Sequence, residues 1–334
     1  MPSILLPANR PESRIFAGGA RISAFRSSSA NYSSHQGEDW VASTTCCFGT
    51  ASLGYTRLPD GPLLHEAVAA EPDKWLGPRH TAKYGADTKI LVKLLDADQR
   101  LPVHAHPHVD WAKQHLGRAH GKAEAWYVLT PGSVWVGLTE DVDRDELLAL
   151  VESERGAELL PRMHRFDVQP HQTVYVPPGT LHAIGEGVMV VEVQEPEDMS
   201  ILCEWAGLNV DGKKDGHLGL GFPVALTGVD TRGRTREQAE RCWVTRRAED
   251  SVDGVFARDS LEYFRLERLA VKGPTPTREG FAVVIVLEGD LSLRTERAPQ
   301  PVAMAKGSTA VVPYEDGAMH LDGEGDVLIA RPPL

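Results

Sequence analysis

Five runs in the first two thirds of the chain, "KILVKLLDA", "AWYVLT", "SVWVGL", "QTVYVPP" and "GVMVVEVQE", are six to nine residues long and rich in β-branched and aromatic side chains. Each is bounded by Pro, Gly or Asp, the way strands of sandwiches and barrels read. Many short strands joined by tight turns can bury their apolar faces only by packing sheet on sheet or by closing a sheet on itself, so the pattern predicts a mainly β protein. The stretch "AWYVLTPGSVWVGL" predicts a hairpin turning at Pro131 and Gly132. Helices are predicted over "GPLLHEAVAAEPDKWLG", "VDWAKQHL", "DRDELLALVESERGAELL" and "TREQAERCWVTRR"; Asp143 with Glu146, and Thr235 with Gln238, have capping-box spacing.

Strands resume in "YFRLERLAV", "FAVVIVLEGDLSLRT", "STAVVPY" and "DVLIARPPL". The Gly- and charge-rich "GLNVDGKKDGHLGLG" separates them from the first set. The expected organisation is therefore an N-terminal β domain with helical insertions over 1–206, a linker and helix over 207–252, and a smaller C-terminal β domain over 253–334. Both halves repeat a strand, a Gly turn and "VVP" or "YVPP", which suggests an internal duplication.

A net charge of -12 over 334 residues disfavours nucleic acid and anionic membranes as partners. No apolar run approaches the roughly 20 residues that span a bilayer, and "MPSILLPANRPESRIF" does not read as a secretory leader. The expected location is the cytoplasm. Cys46, Cys47, Cys203 and Cys242 form no CxxC pattern and read as reduced thiols.

The densest chemistry lies in "LPVHAHPHVDWAKQHLGRAHGKAEAWYVL", which holds five of the thirteen histidines. Residues two apart in a strand share a face, so His104 and His106 project together, as do Lys122 and Glu124. His182 follows the Pro177-Pro178-Gly179 turn. Three imidazoles and a carboxylate form the kind of donor set that Zn²⁺ and other divalent metals accept. His115 and His120 read as surface residues, and His108 as a helix cap or a supporting group.

The His-x-His pair and the turn from Pro177 to His182 resemble the two signature motifs of cupin barrels. The long gap from His106 to Glu124 resembles that of class I mannose-6-phosphate isomerases. "LVKLLDADQRLPVHAHP", "GKAEAWYVL" and "VPPGTLHAIGEG" are similar to that family's metal-binding segments. "FAGGARISAF" with "GEDWVAS", and "FAVVIVLEGDLSL" with "MAKGSTAVVPY", extend the likeness to nearly the whole chain.

The resemblance implies two cupin (jelly-roll) domains. It implies one Zn²⁺, or another divalent metal, held in the first by His104, His106, Glu124 and His182, with none in the second. It makes Lys122 the proton carrier of an aldose–ketose isomerisation through a cis-enediol. The implied partner is a small sugar or sugar phosphate; the oligomeric state is left open.

Three positions depart from the family. Pro102 replaces a serine, His104 replaces a glutamine, and Leu202 stands where an arginine is expected; no arginine occurs between Arg165 and Arg232. In the family the serine serves phosphate binding and the arginine catalysis on the phosphorylated sugar. Lys213, Lys214 and His217 are candidate replacements if their loop covers the site, and otherwise belong to a solvated linker. Two classes fit: a metal-dependent isomerase of mannose 6-phosphate and fructose 6-phosphate or a related sugar, and a catalytically degenerate bicupin that senses metal and sugar. A redox cupin using Fe²⁺ fits the whole-chain likeness less well.

Overall fold

The computed structural model describes residues 4–59, 61–245 and 254–334. In the N-terminal half two antiparallel sheets pack on one another. The six-stranded sheet runs, in spatial order, Val244–Thr245, Thr173–Val176, Glu124–Val128, Met189–Gln194, Leu91–Asp96 and Glu38–Val41. The five-stranded sheet runs Ile201–Leu202, His104–Ala105, His182–Ile184, Gly132–Leu138 and Met163–Val168.

Strand alternation explains what each face of the larger sheet does. Leu95, Trp126, Val128, Val174, Val176 and Val190 point inward and meet Val134, Val136 and Ile184 of the smaller sheet in one buried cluster. Their neighbours Val92, Leu94, Ala125, Tyr127, Tyr175, Val191 and Val193 point outward into a second cluster. Both faces are therefore largely apolar, and all six residues of Leu91–Asp96 are buried, as expected for a strand covered on both sides.

What covers the outer face is the helix pair Leu64–Ala70 and Pro72–Leu76 together with the C-terminal half; Leu64, Trp75, Phe264, Val283, Ile285 and Leu328 belong to the same cluster. The C-terminal half is a seven-stranded antiparallel sheet built on two long strands, Ala282–Thr295 and Met319–Arg331. With the N-terminal barrel it gives the two-cupin, mainly β architecture.

Two short strands cross the expected domain limits. Ile4–Leu5 pairs with Thr309–Val312 in the C-terminal sheet, and Val244–Thr245 pairs with Thr173–Val176 in the N-terminal one.

The expected hairpin at Pro131 and Gly132 is corrected. Glu124–Val128 pairs with Thr173–Val176 and Met189–Gln194, whereas Gly132–Leu138 pairs with Met163–Val168 and His182–Ile184. The chain changes sheet here. Leu129 and Thr130 donate their last backbone bonds to Met189 O, and Pro131, with no N–H, cannot extend the ladder.

The first predicted helix is two, because Pro72 ends one and starts the next at a position that needs no N–H donor. The capping box of Thr235 and Gln238 forms, and Asp143 caps its helix through Asp145 N and Glu146 N. The end of "TREQAERCWVTRR" is not helical: the helix stops at Cys242 and a strand follows, while Arg246 and Arg247 lie outside the described residues.

Candidate active site

The strand His104–Ala105 sits between Ile201–Leu202 and His182–Ile184, and its register sets His104 directly opposite His182. The two rings lie 4.0 Å apart between centroids. His106 follows just beyond the strand, where its carbonyl accepts a 2.6 Å bond from Gly179 N. That bond joins the His-x-His segment to the turn that delivers His182. Gly179 has φ +84°, a conformation that side-chain-bearing residues rarely adopt.

Each imidazole is oriented by a backbone carbonyl. His104 Nδ1 donates to Pro102 O at 2.9 Å, His106 Nδ1 to Met199 O at 2.8 Å and His182 Nδ1 to Thr180 O at 2.8 Å. This pairing assigns the proton to Nδ1 on all three rings and leaves each Nε2 unprotonated, an acceptor or a metal ligand. The three rings bring potential ligand atoms within 4.8 Å of one another.

Glu124 reaches two of them, with Oε2 3.1 Å from His106 Nε2 and Oε1 3.2 Å from His182 Nε2. Lys122 Nζ stands 3.0 Å from Glu124 Oε2 and 2.8 Å from His106 Nε2. All five groups are buried. The donor set fits a divalent cation on the chain's own terms, because His182 Nε2 is a buried acceptor without a hydrogen-bond partner.

Burial pushes the His106 imidazole down to about 3, with the Lys122 ammonium adding to the shift. Burial also holds His104 well below the usual range, and the two other histidines reinforce it. Burial alone would raise the Glu124 carboxyl; Lys122, His106 and His182 together more than offset that and hold it well below the usual range. Neutral imidazoles beside an ionised carboxylate are the protonation states in which these groups bind metal.

Beside these lies a second set of charges that the reading of the sequence did not assemble. Lys93 lies 3.3 Å from Glu192 and 3.6 Å from Glu38, and Arg14 lies 3.2 Å from Glu38. The Arg14 guanidinium grips Asp198 through both terminal nitrogens, at 3.1 and 3.2 Å. Strand register brings two of the groups together with Trp126: Glu192 pairs across the sheet with Lys93 and Trp126, and Trp126 Nε1 donates to both Glu124 and Glu192 at 3.2 Å. The visible cue was a charged residue at the centre of an otherwise apolar run, Lys93 in "ILVKLLD" and Glu192 in "MVVEVQE".

These charges and His104, Lys122, Glu124 and His182 line one cavity of about 40 Å³, whose remaining wall includes Ile15, Phe16, Leu101 and Pro102. The other histidines lie apart from it. His108 caps its helix by accepting from Asp110 N, His115 packs against Trp111, and His120 pairs with Asp87 at 2.9 Å.

No family model matches the chain. Its sequence is 35% identical over 248 residues to the mannose-6-phosphate isomerase of Streptococcus mutans, covering 72% of this chain and 73% of that protein. The chain belongs to the class I mannose-6-phosphate isomerase family.

Mannose-6-phosphate isomerase ManA of Bacillus subtilis is 27% identical over 251 residues, 72% of this chain and 74% of that protein. The crystal structure of the Bacillus subtilis mannose 6-phosphate isomerase superposes with a TM-score of 0.76 at 19% identity, over 99% of this chain and all of the other. The apo enzyme of Salmonella typhimurium gives 0.75 at 14% identity, over 100% and 99% of the two chains. Membership makes the chain an isomerase-family enzyme, and its histidine group a metal-binding one.

Against that family, Pro102 lies in the cavity wall. Leu202 is opposite His104 in the ladder but is buried in an apolar cluster with Val103 and Ile201, and it is not part of the cavity lining. Lys213 is exposed and paired with Glu154 at 2.5 Å, and His217 bonds Lys213 O within its own loop. Neither lines the cavity. Among the described residues no helix is long and apolar enough to cross a membrane.

Proposed function

We propose that this chain interconverts an aldose and a ketose of the mannose/fructose type, with or without a phosphate, through a cis-enediol, using one Zn²⁺ held by His104, His106, Glu124 and His182. Three imidazoles whose Nε2 atoms are turned together by carbonyl-bound Nδ1 groups, with a carboxylate across from them, support a nitrogen- and oxygen-bound dication. When bound, that ion supplies Lewis acidity and stabilises the negative charge that develops on the sugar oxygens.

The remaining work falls to the chain. Lys122, buried at the cavity wall and 3.0 Å from Glu124, takes the proton from one of the two adjacent carbons and returns it to the other. Glu38, Glu192 and Asp198 present carboxylate oxygens to the sugar hydroxyls. Ile15, Phe16 and Leu101 keep the transferred proton from bulk water. The observation that carries the reading is Lys122 within hydrogen-bond reach of two groups of the metal set.

The test combines metal analysis with isomerisation in deuterated water, run on mannose and mannose 6-phosphate. About one metal per chain is expected, with solvent deuterium entering the product at the carbon that receives the proton. Lys122→Met should keep the metal and lose roughly 10² to 10⁴ in kcat. A metal-loaded protein that turns over neither sugar form would leave the sensor instead of the enzyme.

A further inference from the structure

We propose that a second cavity, between the helix Pro78–Tyr84 and the C-terminal sheet, binds a small phosphate monoester with a flat or apolar body, its phosphate held by Arg79 and Arg265. The cavity measures about 330 Å³, within the range of small-molecule sites, roughly 300 to 1,000 Å³. It shares no residue with the cavity beside the histidines. The inference stands apart from the isomerase reading.

The charge of this cavity runs against that of the chain. Acidic residues outnumber basic ones by 47 to 35 in the whole sequence, yet the lining sets Arg79, Lys83, Arg265 and Arg331 against a single acidic side chain, Glu279. Two of these cations are already engaged. Arg331, 2% exposed, meets Glu267 at 3.2 Å and donates to the carbonyls of Gly280 and Arg278, while Lys83 donates to Leu334 O at 2.9 Å.

The other two are not. Arg265 spends only its Nε, on Pro332 O at 2.9 Å, and its two terminal nitrogens have no acceptor among the described residues. The exposed Arg79 guanidinium has none either. Burial, with the Arg331 and Arg278 cations nearby, pushes the Arg265 guanidinium below its usual value, and Glu267 offsets this only in part. A half-buried cation among other cations gains most from an anionic ligand. The hydroxyls of Tyr84 and Tyr314, on the same lining, are two more donors without an acceptor among the described residues.

These donors suit a phosphate ester. Guanidinium groups match phosphate oxygens two at a time, and a monoester's charge of about -1.5 to -2 balances two of them. A single carboxylate would leave one cation unmatched. The rest of the lining includes Leu76, Phe281, Pro332 and Pro333, apolar surface for the body of the ligand. Arg79 and Tyr84 come from the helix, Arg265, Phe281 and Tyr314 from the C-terminal half, so a bound ester would fasten one to the other. Binding to the folded chain alone raises its stability by mass action.

Calorimetric titration of the metal-loaded protein with adenosine monophosphate, adenosine and inorganic phosphate as probes tests the site. One adenosine monophosphate per chain is expected, bound at least tenfold more tightly than either adenosine or inorganic phosphate. Arg79→Glu should weaken it tenfold or more and abolish the rise in melting temperature that the nucleotide gives the wild type. That variant should keep its isomerisation kcat and KM, since Arg79 is exposed and apart from the histidines. Arg265→Lys, which keeps the charge but not the planar fork, should also weaken binding tenfold. No binding at millimolar nucleotide, or binding that Arg79→Glu leaves unchanged, would overturn the proposal. Inorganic phosphate binding as tightly as the nucleotide would refute a role for the apolar wall, and an unchanged affinity in folded Arg265→Lys would remove Arg265 from the clamp.

Discussion

At the residue scale the charge network behind the metal set has consequences for stability. Burial by itself would raise the Asp198 carboxyl, but Arg14 and Lys93 hold it at about 2. Its ordinary value in an unfolded chain is about 3.9. A carboxyl depressed on folding contributes stability that is complete above its unfolded value and is lost as pH falls through the folded one. Acid unfolding should therefore steepen between about pH 4 and pH 2, the Asp198 share amounting to about 2 kcal/mol. Asp198→Asn should remove that share of the pH dependence. It should also lower stability at neutral pH by roughly 3 kcal/mol, since Arg14 and Lys93 lose a buried partner. Denaturant titrations of both proteins at pH 7, 4 and 3 measure this; an Asp198→Asn protein with the wild-type pH slope would show that the pair is not the cause.

At the scale of elements the turn before His182 matters most. Gly179 combines positive φ, a donor bond to His106 O and an acceptor bond from Asp230 N. A Cβ there would lie 3.3 Å from Asp230 N. Gly179→Ala should cost about 1 kcal/mol or more in stability from the strained conformation. It should weaken metal binding about tenfold or more by shifting His182 and the His106 carbonyl together, whereas Gly187→Ala, also at positive φ but away from the ligand set, should lose stability alone. Competition with a chromogenic chelator measures the affinities, and equal values for the two variants would refute a positioning role for the turn.

What could be read from sequence at this scale follows physical lines. Strand positions, the His-x-His pair, Glu124, Lys122 and His182 were legible because they depend on period-two alternation and on Pro and Gly, which act locally. The Pro131–Gly132 hairpin was misread, because whether two adjacent strands pair or part company depends on which sheet has room for each. Arg14, Glu38, Lys93, Glu192 and Asp198 were not assembled because they lie on five separate segments. Sheet register brings Glu38, Lys93 and Glu192 to one wall, and two loops add Arg14 and Asp198.

For the whole molecule, the outer face of the six-stranded sheet and the inner face of the C-terminal sheet share one apolar cluster, with Leu94, Tyr127 and Val191 from one half and Phe264, Ile285 and Leu328 from the other. Each half also has buried clusters of its own, but the shared one joins them, so the chain should unfold as a unit. Calorimetry should give a single transition whose calorimetric and van't Hoff enthalpies agree. Two resolved transitions would mean that the shared cluster does not couple the halves.

The strands that cross between the halves also give the molecule a schedule. As the chain leaves the ribosome at about 5 to 20 residues per second, Ile4–Leu5 emerges long before Thr309–Val312, the strand it pairs with. The N-terminal barrel waits similarly for Val244–Thr245 to close its edge. For most of its synthesis the nascent protein holds an unfinished sheet edge and an orphan first strand, the kind of surface on which neighbouring chains misassemble. The arrival of Thr309–Val312 retires this exposure.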